Sequence, residues 1–422
     1  MATRHIDFLL VGGGIAAGNC ARWLRRSGAE GTILLVGREP DLPYDRPPLS
    51  KGYLRGEASR ADALVEDADW YAQAGIEALT RTSVTGLDAR ERTATLSNRD
   101  EISFGSALLA TGANVRRLNV PGSELEGIHY LRTFGNSDAI REAASDGARV
   151  VLIGGSYIAS EVAASLTEVG CRCTMVMMES LPLGRSFGAA AGRFFHDTLS
   201  AHGIEIHGDD ELERFTGTEG RVTAVHTRAG RTLAADLVVV GAGVTPDVSL
   251  ARRAGLELGE RGGVLADAGL RSSAASIYVA GDIAEYVSVV NPPSGGRGGG
   301  RRQRVEHWDV AFNHGRTAAL NMLGHGVEHD AVPYFFSDLS DWAAIEAVGP
   351  AYEWDREIVR GSFAEATFTV FYLQHGVVQG ALTVGRSDDL QAARRLIAAG
   401  TVLGEDADAL GDLSSDLELV GV

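Results

Sequence analysis

Gly12, Gly13 and Gly14 follow the apolar run Phe8-Leu9-Leu10-Val11, and Gly154, Gly155 and Ser156 follow Val150-Val151-Leu152-Ile153. Each turn opens a helical pattern, through Ile15-Ala16-Ala17 in the first case and Tyr157-Ile158-Ala159 in the second. A strand, a glycine turn and a helix N-terminus in succession suit a pyrophosphate: the backbone approaches the anion closely and the helix N–H groups face it. In the first turn Gly12 and Gly14 take the tight-turn and close-approach positions, and Ala17 takes the third, where alanine is allowed. In the second Gly154 is kept, while Ser156 and Ala159 replace the later glycines. A serine hydroxyl is able to donate to a phosphate, yet it narrows the approach. Each following strand ends in a carboxylate, Glu39 or Glu179. Glu39 is placed for ribose hydroxyls, with Arg38 beside it for an adenine face. Glu179 favours the free 2′-hydroxyl of NADH over a 2′-phosphate, and Ser180-Leu181-Pro182 brings no cation to reverse that. Two such units predict two dinucleotides on one chain, the arrangement of a flavoprotein served by a nicotinamide cofactor.

The elements that must position these residues alternate as strand and helix, which indicates parallel sheets. The first unit predicts a strand over 6–11, a helix over 14–27 ending at Gly28 and a strand over 32–36. The second predicts a strand over 149–153, a helix over 157–169 ending at Gly170 and a strand over 173–178. Both units close on an apolar run and a glycine turn, Leu108-Leu109-Ala110-Thr111-Gly112 and Val238-Val239-Val240-Gly241-Ala242-Gly243. These runs read as the last strands of two related nucleotide-binding folds. A further apolar strand meets a turn at Ile277-Tyr278-Val279-Ala280-Gly281-Asp282. A Gly- and Arg-rich stretch, 292–304, reads as a solvated loop, and helical spacing returns over 308–323. From Tyr334 onward aromatic and β-branched residues alternate, as an antiparallel sheet requires. The acidic tail from Gly404 reads as a loosely held helix. The fold class expected is α/β, with two Rossmann-like nucleotide-binding domains (FAD and NAD) plus an α+β C-terminal domain carrying an antiparallel sheet. The expected boundaries are 1–113 with 242–325 for the FAD domain, 114–241 for the NAD domain and 326–422 for the last.

Composition narrows the class. A chain of 422 residues has room for about three domains. The net charge of −17 disfavours nucleic acid, whose phosphates require clustered Lys and Arg. No apolar run reaches the roughly 18 residues that span a bilayer, so no membrane partner is expected. The opening Met1-Ala2-Thr3-Arg4-His5 runs straight into a strand and leaves no room for a signal peptide, which points to the cytoplasm. Cys20, Cys171 and Cys173 are the only cysteines, an odd number without a Cys-x-x-Cys pair. They predict buried packing and neither dithiol chemistry nor a metal site.

The most specific string is Leu42-Pro43-Tyr44-Asp45-Arg46-Pro47-Pro48-Leu49-Ser50-Lys51, where prolines stiffen a loop that presents Arg46 and Lys51. With it come Ala110-Thr111-Gly112, Ala280-Gly281-Asp282, Arg304-Val305-Glu306-His307-Trp308-Asp309 and Pro333-Tyr334-Phe335-Phe336-Ser337-Asp338. Together these strings resemble the ferredoxin, rubredoxin and putidaredoxin reductases and the apoptosis-inducing factor group, over essentially the whole chain. The resemblance implies that Arg46 contacts the adenine-side ribose or pyrophosphate of FAD. It implies that Lys51 reaches the flavin and pairs with Glu161 on the second glycine-turn helix. Gly281 and Asp282 would hold the ribityl chain, and Glu306, His307 and Trp308 would line the flavin. On the nicotinamide side Gly154, Ser156, Tyr157, Ile158, Glu161, Glu179 and Gly243 would bind NADH, with Tyr157 covering the flavin face. Phe336 departs from the family, which carries tryptophan there.

The reaction implied is transfer of electrons from NADH through FAD to a small acidic iron–sulfur protein of ferredoxin or rubredoxin type, serving an oxygenase or cytochrome. Arg297, Arg301, Arg302 and Arg304 are candidates for its docking, on a monomer or a homodimer. Two other readings stay open: an NADH-responsive interaction protein like apoptosis-inducing factor, and a reductase of a small electron acceptor. Disulfide reduction is excluded, since it needs a cysteine pair that the region around Tyr44 and Arg46 lacks.

Overall fold

The structure, a computed structural model, describes residues 4–290, 301–349 and 351–421. Arg4–Val11 is the centre of the first sheet, with Leu9, Leu10 and Val11 buried. It pairs in parallel with Ile33–Val36 on one side and Glu101–Leu109 on the other. Ile76–Leu79 extends the sheet in parallel beyond Ile33–Val36, while Thr93–Leu96 and Val84–Asp88 add an antiparallel edge. Leu108-Leu109 does not close this sheet, contrary to the sequence expectation. Ile277–Val279 returns from far along the chain and lies parallel on it. Apolar residues at every position suit such a strand, which is buried on both faces.

The carboxyl ends of these strands are stapled together. Gly12 N–H donates to Val36 O at 2.9 Å, Ala110 N–H to Val11 O at 2.8 Å, and Ala280 N–H to Leu109 O at 3.0 Å. The four segments that follow the strands therefore leave the sheet at one edge, where open α/β sheets bind their ligands. The helix Ile15–Arg26 starts from that edge, ends before Gly28 and packs on the helix Trp308–Met322.

The second sheet repeats the plan with five parallel strands, in the order Glu205–His207, Arg172–Val176, Arg149–Ile153, Leu237–Val240 and Ile128–Tyr130. Its glycine-turn helix is Tyr157–Glu168. Here the strand expected over 173–178 runs over Arg172–Val176, and just beyond it Met177 N–H donates to His207 O while Met177 O accepts from Asp210 N–H, at 3.0 Å each. The chain passes between the two sheets on an antiparallel ribbon, Ala113–Val115 against Val244–Pro246.

The C-terminal sheet is antiparallel, ordered Tyr334–Leu339, Ala343–Val348, Val377–Val384, Thr367–Gln374 and Arg356–Ser362. The helix Asp389–Ala399 covers it, burying Leu390, Leu396 and Ile397. The acidic tail is not loosely held. Its turns Gly404–Leu410 and Leu417–Leu419 bury Leu410 and Leu417, and Arg395 donates to the Leu417 and Val420 carbonyls at 2.9 Å each. Acidic side chains face out while Leu410 and Leu417 anchor the backbone and Leu413 and Leu419 stay exposed.

The Gly/Arg stretch also differs from expectation. Residues 291–300, with Arg297, lie outside the described residues. Arg301–Gln303 is a strand, antiparallel to Ala284–Ser288, and buried Gln303 donates to the Tyr286 hydroxyl at 2.5 Å. The three cysteines are free and buried, as the sequence indicates. Among the described residues no helix is long and apolar enough to cross a membrane, and no cluster of His, Cys, Asp and Glu suits a metal.

Candidate functional site

A cavity of about 620 Å³ opens where both glycine turns, the proline-rich loop and the C-terminal sheet converge. Of the residues nominated from sequence, Gly12, Gly14, Glu39, Arg46, Lys51, Ala110, Thr111, Gly112, Gly281, Asp282, Glu306, His307 and Trp308 all line it. So do Ser156, Tyr157, Ile158, Glu161 and Gly243. Ala17, Gly154 and Glu179 do not. Ala17 is fully buried on the first helix, and Gly154 is half-buried at a point where a Cβ would lie 2.5 Å from Gly241 O. Glu179 is a half-buried residue in the turn beyond Arg172–Val176.

The floor is built for close approach. Gly12 has φ +141°, and a Cβ there would sit 2.1 Å from the Ala110 carbonyl oxygen. A Cβ on Gly14, at the N-terminus of the first helix, would meet nothing within 4 Å. At one end Glu39 pairs with Arg46 at 2.7 Å and accepts from the Tyr44 hydroxyl at 2.5 Å. Burial works against the Glu39 carboxylate, but Arg46 and Tyr44 hold its pKa below the usual value. Arg38 also lines the cavity and is exposed. It binds Asp247 at 3.0 Å and Asn114 at 2.6 Å, tying the inter-sheet ribbon to the first sheet.

Asp282 leaves the sheet beside Ala280 and pairs with Arg132 at 2.7 Å. Arg132 was not legible as a site residue, since it comes from the segment after Ile128–Tyr130 in the second unit. Arg46 also donates to the Arg132 carbonyl, so the two arginines brace one another.

The buried pair Lys51–Glu161 lies on the opposite wall, with Nζ and Oε1 2.6 Å apart. Glu161 also accepts from the Ser50 hydroxyl at 2.5 Å and from Ser337 of the C-terminal sheet at 2.6 Å. Two separate segments, the proline-rich loop and the C-terminal sheet, therefore fix one carboxylate through three groups, and neither serine was nominated from sequence. Tyr157 packs on Phe335, with ring centroids 4.2 Å apart, and burial pushes its hydroxyl up to about 12. Trp308 donates its indole N–H to Asp45 at 2.8 Å, and its ring lies 6.1 Å from Phe336. Burial holds His307 neutral, down to about 4, against the opposing pull of Asp282. The Ser156 hydroxyl donates to Gly241 O at 3.1 Å, leaving the helix backbone N–H groups to face a phosphate. Arg304 is not a free docking cation: it pairs with Glu306 and donates to the Arg261 and Asp282 carbonyls at 2.9 and 3.0 Å.

These features fit a dinucleotide. The glycine floor leaves room for a pyrophosphate, and buried Arg132 Nε on the cavity wall has no protein partner among the described residues. The family model described as pyridine nucleotide-disulphide oxidoreductase matches residues 6–315. The chain belongs to that family. A second model, described as reductase C-terminal, matches residues 334–420. The 5,5′-dehydrodivanillate O-demethylase ferredoxin reductase subunit of Sphingobium sp. (strain NBRC 103272 / SYK-6) is 33% identical over 415 residues, 98% of each chain. The ferredoxin reductase for the CYP199A2 system from Rhodopseudomonas palustris superposes with a TM-score of 0.91 at 31% identity, covering 99% of this chain and 100% of the other. The covalent putidaredoxin reductase–putidaredoxin complex matches with a TM-score of 0.90 at 31% identity and 98% of each chain.

The chain is thus an oxidoreductase whose cofactors are FAD and a nicotinamide nucleotide. No cysteine lines the cavity among the described residues, so disulfide exchange has no nucleophile there.

Proposed function

We propose that this chain takes reducing equivalents from NADH and passes them to a small acidic iron–sulfur protein of ferredoxin or rubredoxin type, which in turn serves an oxygenase or cytochrome. The observation that carries the proposal is the buried Lys51–Glu161 pair on a cavity wall shared by both glycine turns. FAD, when bound, supplies the conversion of a two-electron donor into single-electron delivery. Gly12 and Gly14 leave space for its phosphates, Glu39 and Arg46 bind on the ribose side, and Asp282 with Arg132 holds the middle. Glu306, His307 and Trp308 form the far wall. Lys51 sets a positive charge against that end, and Glu161 offsets the cost of burying it. Tyr157 and Phe335 keep water from the same wall. Ser156, Ile158 and Gly243 line the side open to the nicotinamide nucleotide. Sheet membership supports the divisions 1–113 with 242–325, 114–241 and 326–422. The same reading assigns the chain to the cytoplasm, supported by its three free, buried cysteines.

Anaerobic stopped-flow tests the proposal: NADH bleaches the flavin, and an acidic ferredoxin reoxidises it over many turnovers. Reduction without transfer to any ferredoxin or rubredoxin, in the presence of rapid quinone turnover, overturns the acceptor assignment. Glu179 carries the choice of nucleotide. NADH should exceed NADPH in kcat/KM by roughly 10- to 100-fold, because a 2′-phosphate beside a carboxylate is repelled. Glu179→Arg should narrow or reverse that ratio.

For docking, Arg301 and Arg302 remain once Arg304 is committed inward. Arg302 is exposed while donating to the Ala266 carbonyl at 3.1 Å, and Arg301 stacks on Tyr352 at 5.3 Å. The double change Arg301→Ser with Arg302→Ser should slow ferredoxin reduction about three- to tenfold at low salt. It should leave NADH-driven bleaching untouched and flatten the dependence on ionic strength, whose screening length is about 8 Å at physiological salt. An unchanged rate and salt slope remove this patch as the docking site.

A further inference from the structure

Below the Gly281–Asp282 turn lies a closed polar cluster that none of the roles above employs. His314 is fully buried about two turns into the helix Trp308–Met322. Its Nδ1 accepts the Gly281 backbone N–H at 3.2 Å, and its Nε2 has no protein partner among the described residues. Tyr286 and His329 pack edge-on against the ring, with centroids 4.6 and 4.5 Å away.

Gly281 needs that acceptor. It is buried, with φ +72°, and it opens the tight turn Gly281–Ile283. The sheet ladder has ended one residue earlier, where Ala280 donates to Leu109 O. A buried backbone N–H left unpaired is costly, and here a side chain from a helix supplies what the sheet no longer does. Because Nδ1 accepts, the proton of the neutral ring resides on Nε2. Burial, with His329 adding to it, keeps the ring neutral well below its ordinary pKa.

The helix carrying His314 is itself immobilised. A Cβ on Gly315 would lie 2.5 Å from Ala16 O, and Asn19 donates to the Phe312 carbonyl at 2.6 Å. The same helix begins at His307 and Trp308 on the cavity wall. One rigid post thus reaches from the cavity to the peptide just before Asp282. We propose that His314 is a positioning residue for the FAD site: by holding Gly281 N–H on Nδ1, it fixes Asp282 against Arg132 before the cofactor binds.

The test is titration of apoprotein with FAD, followed by fluorescence quenching, alongside thermal melting of the same apoprotein. Asparagine places its amide oxygen near the position of imidazole Nδ1, whereas glutamine places it near Nε2. His314→Asn should keep the FAD Kd within about twofold of the parent. His314→Gln and His314→Leu should weaken it about three- to tenfold, the worth of one backbone hydrogen bond. Amide exchange at Gly281 should speed up in the Gln and Leu variants only. Equal Kd values for the Asn and Gln variants overturn the proposal, whether or not the Leu variant folds, since both then act through volume alone. So does a Gln variant that binds FAD as the parent does. The inference rests on FAD filling this cavity; a parent chain that takes up no FAD removes that premise instead, and the two failures are read in separate titrations.

Discussion

Lys51→Met is expected to slow NADH-driven flavin bleaching on the order of 100-fold, the scale at which one preorganised charge acts on a developing anion. The ammonium is 2.6 Å from Glu161, and the two side chains are only 10% and 7% exposed. Removing one partner of a buried pair leaves the other uncompensated, at about 3–5 kcal/mol. Here Ser50 and Ser337 still donate to the carboxylate, so the loss should fall near the lower end, about 3 kcal/mol. A second change separates stability from chemistry. Adding Glu161→Gln removes the stranded charge, and the melting temperature should recover while bleaching stays slow. A Lys51→Met protein that bleaches at the parental rate would show that the cation takes no part in reduction. Recovery of the rate in the double variant would show that the defect was a matter of folding.

The contrast between this pair and its supports shows what the sequence carried. Both glycine turns were legible because a strand, a turn and a helix are adjacent in the chain, and local spacing alone places Gly12 and Gly14, and likewise Ser156 and Tyr157, where a strand passes into a helix. The Lys51 loop was legible through its prolines, and its partner Glu161 through the family's ordered strings. Ser337, Arg132 and His314 were not, for a common reason. Each acts across a long separation on a residue that is itself ordinary locally: Ser337 on Glu161, Arg132 on Asp282, His314 on the Gly281 peptide. No periodicity encodes such contacts, because register between sheets, and not local preference, decides them. Direction was equally hidden. Arg304 reads as one more cation in a basic stretch, yet it lies just past the strand Arg301–Gln303, where Glu306 and the Arg261 and Asp282 carbonyls take up its guanidinium. In the tail, composition revealed acidity and concealed burial, because Leu410 and Leu417 are few among the carboxylates that surround them.

The second large effect is expected from a single methyl group. Gly12→Ala should abolish FAD uptake at micromolar cofactor and destabilise the apoprotein by about 2–4 kcal/mol, since it combines a steric clash with a backbone conformation that alanine resists. The new Cβ would lie 2.1 Å from Ala110 O and 2.7 Å from Ala110 C, atoms of a backbone that has little freedom to yield. Gly12 N–H is held by Val36 O, and Ala110 N–H by Val11 O, so relief requires parting the strands that the cavity floor depends on. Gly28→Ala is the matching control. That glycine also has a left-handed backbone, φ +86°, but a Cβ there would meet nothing within 4 Å. It should cost about 1–2 kcal/mol from conformation alone and leave the FAD Kd unchanged, because Gly28 terminates the helix at the end remote from the cavity. If both variants bound FAD equally well, the close approach at Gly12 would not be what admits the pyrophosphate. If only Gly12→Ala lost it while its apoprotein still melted cooperatively, the floor of the site would be located at that one atom.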